Sequence, residues 1–188
     1  MTDTMARIAA GLESAFARRG FAVPSVEDLR DAAGVSLRTL YKYAPSRDRM
    51  VRIALEHRHR RYLDHVFSDL PMGHEAALDA LFERIGLWME RETSHGCLFH
   101  AAVAANPDDN ELKALLERHK SEVAERAAGA TGLSGRKIEL MQVIEGLTQS
   151  WPLYRERATT GARHLGAALR RAEVPGPFDA RTSSPSLT

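Results

Sequence analysis

Between residues 36 and 47 the chain gathers an unusual set of hydrogen-bond donors. Ser36, Arg38, Thr39, Tyr41, Lys42 and Tyr43 all donate, and two of them carry positive charge. Such a set suits a polyanion with readable edges. A guanidinium pairs with guanine O6 and N7 through two parallel bonds. Lysine and tyrosine reach phosphates, which fix register without reading sequence. On this reading Arg38 meets a base and Thr39 a base or a phosphate. Tyr41, Lys42, Tyr43 and Arg47 clamp phosphates, and Ser25 and Leu37 complete the candidate DNA surface. The same spacing also describes a helix with a plain polar outer face.

Two short helices must hold these residues. Ser25 is an N-cap, and Asp28 three positions on completes a capping box. Leu29, Ala32 and Ala33 give that helix an apolar side. Gly34 falls where the chain turns sharply and accepts positive φ. Ser36 caps a second helix, Leu37 to Tyr43, whose Leu40 points back at the first, and Pro45 stops it. A pair of helices across a glycine turn is a helix-turn-helix, whose second helix enters the DNA major groove. Ile8, Leu12, Ala15 and Phe16 recur at helical spacing ahead of it, so a first helix closes a three-helix head.

The stretch AAGVSLRTLYKYAPSRDRM resembles the signature of TetR-family transcriptional regulators, with its Gly-Val-Ser turn, Thr-Leu-Tyr, proline and following basic residue. The likeness covers about residues 5–65. Two positions depart from the pattern: Ala44 stands where an aromatic is usual, and Arg30 where a small residue is. A compensating pair is one expectation, with the stem of Arg30 filling room left at Ala44 and its guanidinium emerging beside DNA; Arg30 as ordinary surface is the other. The resemblance implies a DNA-binding head (1–62), a helical effector-binding and dimerising body (63–174), and a tail (175–188) whose Pro/Ser/Thr-rich composition reads as disordered. It also implies a near-palindromic operator, read by two copies.

Composition agrees with a globular chain. Hydrophobic residues make up 44% of the 188 and charged residues 27%. The net charge of +1 hides an asymmetry: residues 1–62 hold 12 Lys and Arg against 7 Asp and Glu, whereas the remainder holds 14 against 18. A basic head on a mildly acidic body suits nucleic-acid binding. One cysteine leaves no disulfide framework and no cysteine-rich zinc site, and suits a reducing cytoplasm. No apolar run reaches membrane-spanning length, and Met1–Arg7 leads into an amphipathic helix with no signal peptide.

Beyond the head the sequence reads as helices only, giving an all-α fold of about nine. Ser46 caps a long helix to about Leu70, whose basic run His57–Arg61 is a metal or DNA site on one reading and a solvated linker face between two cores on the favoured one, since His at i and i+2 share no helical face. Leu78–Met89, Cys97–Ala105, Leu112–Ala127, residues 138–154 and Thr159–Glu173 follow, with a break at Thr93–Gly96 and a loop at Gly129–Gly135. Helix 138–154 carries two apolar rows and therefore needs two partners. With its small-residue neighbour it forms the expected dimer interface: Leu140, Val143, Leu147, Ala162, Leu165, Gly166 and Leu169. The implied effector pocket, for a small apolar or aromatic ligand, takes Phe67, Phe82, Trp88, Met89, Phe99, His100, Met141 and Trp151 as candidate lining; each is equally readable as core. His100 and His119 read as satisfied core histidines or as ligand contacts. Cys97 at a helix start is a small buried residue or a thiol of lowered pKa.

No cofactor or metal site and no enzyme is expected. The chain has no phosphate-binding glycine loop, nucleophile elbow or HExxH pair, and the i, i+3 pair Cys97/His100 lacks a third orienting group. The leading reading is a dimeric repressor released by its ligand. A helical adaptor docking protein through the hairpin is the alternative; an enzyme using Cys97 and His100 is the remote one.

Overall fold

The computed structural model describes residues 3–92 and 96–172. Within them every regular element is helical: α1 (Asp3–Arg19), α2 (Val26–Ala33), α3 (Leu37–Tyr43), α4 (Arg47–Phe67), α5 (His74–Glu92), α6 (Leu98–Ala105), α7 (Asn110–Thr131), a 3-10 turn (Ser134–Arg136), α8 (Lys137–Tyr154) and α9 (Glu156–Arg171). The tail 175–188 and most of the break at 93–96 lie outside the described residues.

Local chemistry sets the head. The Ser25 hydroxyl accepts from the Asp28 N–H at 3.1 Å, and the Asp28 carboxylate accepts from the Ser25 N–H at 2.8 Å. This reciprocal box satisfies two donors that a helix start otherwise strands. Gly34 closes α2 at φ 62° and ψ 38°, with its N–H on Asp31 O at 3.1 Å and the Val35 N–H on Arg30 O at 3.4 Å. The left-handed conformation that this closure requires is open to glycine at little cost. Ser36 then caps α3 through the Thr39 N–H, and Ser46 caps α4 through the Arg49 N–H, each at 3.1 Å.

Helix α4 ends at Phe67, short of the expected Leu70. The reason lies on α5, where Arg84 donates to the carbonyls of Val66 (3.3 Å), Ser68 and Asp69 (2.9 Å). These are carbonyls that a helix end leaves without intrahelical partners. Two smaller differences follow similar logic. Helix α7 runs on to Thr131, where Gly132 closes it at φ 68°. Helix α9 starts at Glu156, separated from α8 by Arg155 alone at φ 49°.

Two apolar clusters form the core. One joins Ile8, Leu12 and Phe16 of α1 to Leu29, Leu40, Met50 and Ile53, and continues into Leu98, Phe99, Ala102 and Leu112. The other joins Val66, Phe82, Ile85 and Trp88 to Ile144, Leu147 and Trp151. Helix α6 thus packs on the head core although it follows the body's first helix in sequence. Ala44 is wholly buried in the first cluster. The Arg30 guanidinium pairs with its neighbour Asp31, at 2.7 Å from Nε and 2.6 Å from Nη2.

Helices α1 and α2 approach closely at Gly11. A Cβ there would sit 2.5 Å from Ala33 Cα and closer still to the Ala32 carbonyl oxygen. Both obstacles are backbone, so nothing can rotate away. Gly11→Ala is expected to destabilise the protein by about 1–3 kcal/mol through overpacking, although alanine gains about 1 kcal/mol of helix propensity. Thermal unfolding of the variant checks this; an unchanged or raised melting temperature would show the helices free to part.

Candidate nucleic-acid interface and effector cavity

The turn geometry fixes what α3 presents. Leu40 is buried against the first cluster, which turns Arg38, Tyr41 and Lys42 outward to solvent. Thr39 is half-buried, its hydroxyl 2.9 Å from that of Ser36, and Leu37 is half-buried beside it. Tyr43 is half-buried too, with the Lys42 ammonium 5.8 Å from its ring centroid. Ser25 stands at the start of α2 with its hydroxyl engaged in the cap. Asp28 below it is bonded by Arg19 and by the Ser25 N–H and hydroxyl, which hold its carboxyl down to about 2. It therefore stays ionised as a helix-start anion.

Arg47 departs from the phosphate-clamp expectation. Its guanidinium donates to Phe21 O at 2.7 Å and Pro24 O at 2.9 Å, and lies 5.8 Å from the Phe16 ring. Two carbonyls of the α1–α2 loop take up its donors. Arg47 ties the start of α4 to the loop that launches α2, so it positions the hairpin and does not reach outward.

The run His57–Arg61 is also corrected: much of it faces protein. Glu13 of α1 is 2% exposed and accepts from His57 Nδ1 (2.7 Å), Arg58 (3.0 Å) and Arg61 (2.8 Å). Burial pushes its carboxyl up, but the His57 bond and the charges of Arg61 and Arg58 outweigh it, and the pKa falls below the ordinary value. Arg61 also bonds Glu92 of α5 at 2.6 Å. Arg58 and Arg61 both lie against the Trp88 indole, 4.9 Å and 5.3 Å from its centroid. A head carboxylate, the long helix α4 and the body helix α5 thus meet in one network, buried at Glu13 and Arg58 and open to solvent at Arg61 and Glu92.

Directly beyond Trp88 is a narrow cavity of about 40 Å³, room for one or two waters. Of the candidate lining residues, Trp88, Met89, Phe99 and Met141 stand on its wall. Phe82 is instead fully buried core, Trp151 packs in the same cluster, and Phe67 flanks that cluster from α4. Their apolar character signalled burial, which core and cavity share. His100 also misses the wall: its side chain is 43% exposed and touches Gln149 at 2.6 Å. The polar wall is supplied by Arg58, Tyr62, Cys97, His119, Lys120, Glu145 and Thr148. Lys120 bonds Glu145 at 2.6 Å and stands 3.5 Å from the Cys97 sulfur. Burial raises the thiol pKa, yet a bond from His100 and the Lys120 charge bring it down to about 7. His119 stacks on Phe99 at 4.1 Å and contacts His59; burial, then the neighbouring His59 and Lys120, push its pKa down to about 2, so it is neutral. Arg58 and Tyr62 lie at i and i+4 on α4, a spacing visible in sequence; the pairing of Lys120 with Glu145 joins α7 to α8 and has no local signal.

The expected dimer face divides by side. Leu140 and Gly166 point inward: Leu140 is wholly buried, and a Cβ on Gly166 would collide with the Phe82 ring. Leu147 and Ala162 are nearly buried and floor a shallow groove between α8 and α9. Val143, Leu165 and Leu169 rise on its sides, with Gly146 and Gly161 between. The face that the chain's own core leaves partly uncovered is the outer one, centred on Val143 and Leu165.

Residues 4–52 match the family model of the bacterial regulatory proteins of the tetR family. The N-terminal head is thus a tetR-family segment. No curated protein matches the chain in sequence. Among solved structures, a TetR-family transcriptional regulator from Streptomyces coelicolor shares 17% identity and a TM-score of 0.77, over 89% of this chain and 94% of its own. A putative TetR-family regulator from Rhodococcus sp. gives 18% and 0.74, over 89% and 99%. E. coli NemR in its reduced form gives 17% and 0.69, over 93% and 100%. At such identity these likenesses show the fold, and they do so over most of the chain, α5–α9 included. No described helix is long and apolar enough to cross a membrane.

Proposed function

We propose that this chain is a TetR-family protein: a cytoplasmic, dimeric transcriptional repressor that binds a near-palindromic operator through α3 and is released by a small effector entering the cavity beside Trp88. The observation that carries the reading is the exposed pair Arg38 and Lys42 on a capped helix, backed by α4, which runs from the head to the cavity wall. Phe99 strengthens the link, since it belongs to the head core and to the cavity wall at once. Release requires an effector that prefers a head arrangement unfit for DNA. Two copies joined along α8 and α9 give the two heads that successive major grooves need.

The division of labour on α3 is the test. Lys42→Ala is expected to weaken binding to all duplexes alike, as loss of a phosphate contact does. Arg38→Ala is expected to cost ~1–3 kcal/mol of discrimination between operator and scrambled duplex. Both variants are compared at one salt concentration on duplexes selected from a random pool. A specificity ratio untouched by Arg38→Ala removes it as a base reader, and no salt-dependent duplex binding at all would favour the adaptor reading, with the hairpin docking protein.

A further inference from the structure

The cavity wall carries an imbalance of charge that names a ligand class. Arg58 and Lys120 face it from α4 and α7, and Glu145 is the one carboxylate among the described lining residues. The partner of Arg58, Glu13, sits behind it on the head and outside the wall. The Lys120 ammonium stands 3.5 Å from the half-buried Cys97 sulfur and 2.6 Å from Glu145, so it is held at the wall with a third donor left for a ligand. Each cation already holds one carboxylate, Arg58 the Glu13 behind it at 3.0 Å and Lys120 the Glu145 beside it at 2.6 Å, yet a guanidinium has five donors and an ammonium three, so an anion can share them where a hydrocarbon cannot. The rest of the wall is flat and aromatic: Trp88 with Tyr62 edge-on at 5.4 Å, and the parallel pair Phe99 and His119.

We propose that the effector is a small aromatic carboxylate, held by its ring among Trp88, Tyr62 and Phe99 and by its carboxylate between Lys120 and Arg58, the arginine that also holds Glu13 of the DNA-binding head. This rests on the effector reading above and specifies it. A carboxylate accepts a guanidinium through two bonds, so the ligand competes with Glu13 for Arg58. The 40 Å³ present is smaller than such a ring, and room comes from Met89 and Met141, unbranched side chains that repack readily. Moving the wall and drawing on Arg58 both act on α4, the helix that follows the recognition helix.

The test uses the full-length protein on its operator duplex. Benzoate, phenylacetate and cinnamate are each paired with the matching neutral amide, and binding is read as a melting-temperature shift and as release of DNA. At least one acid is expected to bind about tenfold or more tightly than its amide and to release the duplex. Lys120→Met should bring that acid to the level of the amide, and Lys120→Arg should restore the preference. Met141→Trp, which fills the cavity, should abolish binding of both. With the acid bound, Cys97 should alkylate more slowly with iodoacetamide, because a second anion raises the thiol pKa. Acids that bind no better than amides, or a preference that survives Lys120→Met, overturn the inference. If amides or the neutral dye Nile red still bind and are lost in Met141→Trp, the effector cavity stands and the anion assignment alone falls. If no acid, amide or dye binds, both fall.

Discussion

Glu13→Ala is expected to lower stability by about 3–5 kcal/mol, the range for removing one partner of a buried ion pair. Arg58 is 4% exposed and pressed against Trp88, and without Glu13 its charge stays buried with its acceptor gone. Arg61 keeps Glu92, so the loss falls mainly on Arg58. Glu13→Leu combined with Arg58→Met should recover most of the stability, because a pair replaced by apolar groups of similar size is often neutral. Recovery of the melting temperature without recovery of effector-driven DNA release would separate the network's structural role from its signalling role. A single Glu13→Ala that costs under ~1 kcal/mol would mean that water reaches Arg58 and the network is solvated. The same carboxylate gives a pH dependence. Its pKa is lowered on folding from the ordinary 4.5, so the folded state holds its proton less well than the unfolded chain. The stability it contributes is present above 4.5 and is lost as pH falls from there through the lowered folded value. The acid limb of the wild-type stability curve should therefore be steeper than that of the double variant.

Much of the head was legible because its signals are local. Ser25 with Asp28, Gly34, Ser36 and Pro45 each act within four residues, and the structure puts α2 and α3 within the bounds those residues imply. What was not legible depends on partners far along the chain. The cluster His57–Arg61 looks like solvated surface because the carboxylate that buries it, Glu13, lies more than forty positions away. Arg47 looks like a phosphate clamp until the carbonyls of Phe21 and Pro24 take its donors. Aromatic and methionine residues announce burial but not which side of a cavity they stand on, so Phe82 and Trp88 read alike although only Trp88 reaches the wall. The two rows of α8 were plain from sequence, whereas the inward row could be recognised only once α5 and α9 were packed against it.

That outward row supports the second large effect. Leu165 is 59% exposed, Ile138 71% and Leu153 77%, an unusual apolar display for surface positions. Leu165 and Val143 flank the groove floored by Leu147, and Gly146 and Gly161 have no atom within 4 Å of where a Cβ would lie, so a second helix pair can approach closely there. Leu165→Glu adds a charge at a site that is already solvated in a single copy. It should leave the fold of the protomer intact and split the proposed dimer. Leu147→Glu is a poorer probe, since at 2% exposure it would unfold the protomer's own core as well. Losing the dimer converts linked binding of two heads into independent binding of each, which is expected to weaken operator affinity by about 10²–10⁴-fold. Light scattering gives the mass of the variant, circular dichroism its helicity, and titration of a two-half-site duplex its affinity. A native-like monomer with that loss is the expected result, and binding to a single half-site should change little. A Leu165→Glu variant that remains dimeric, or a wild type that is monomeric at tens of micromolar, would move the interface away from α8 and α9 and leave the exposed row to some other partner.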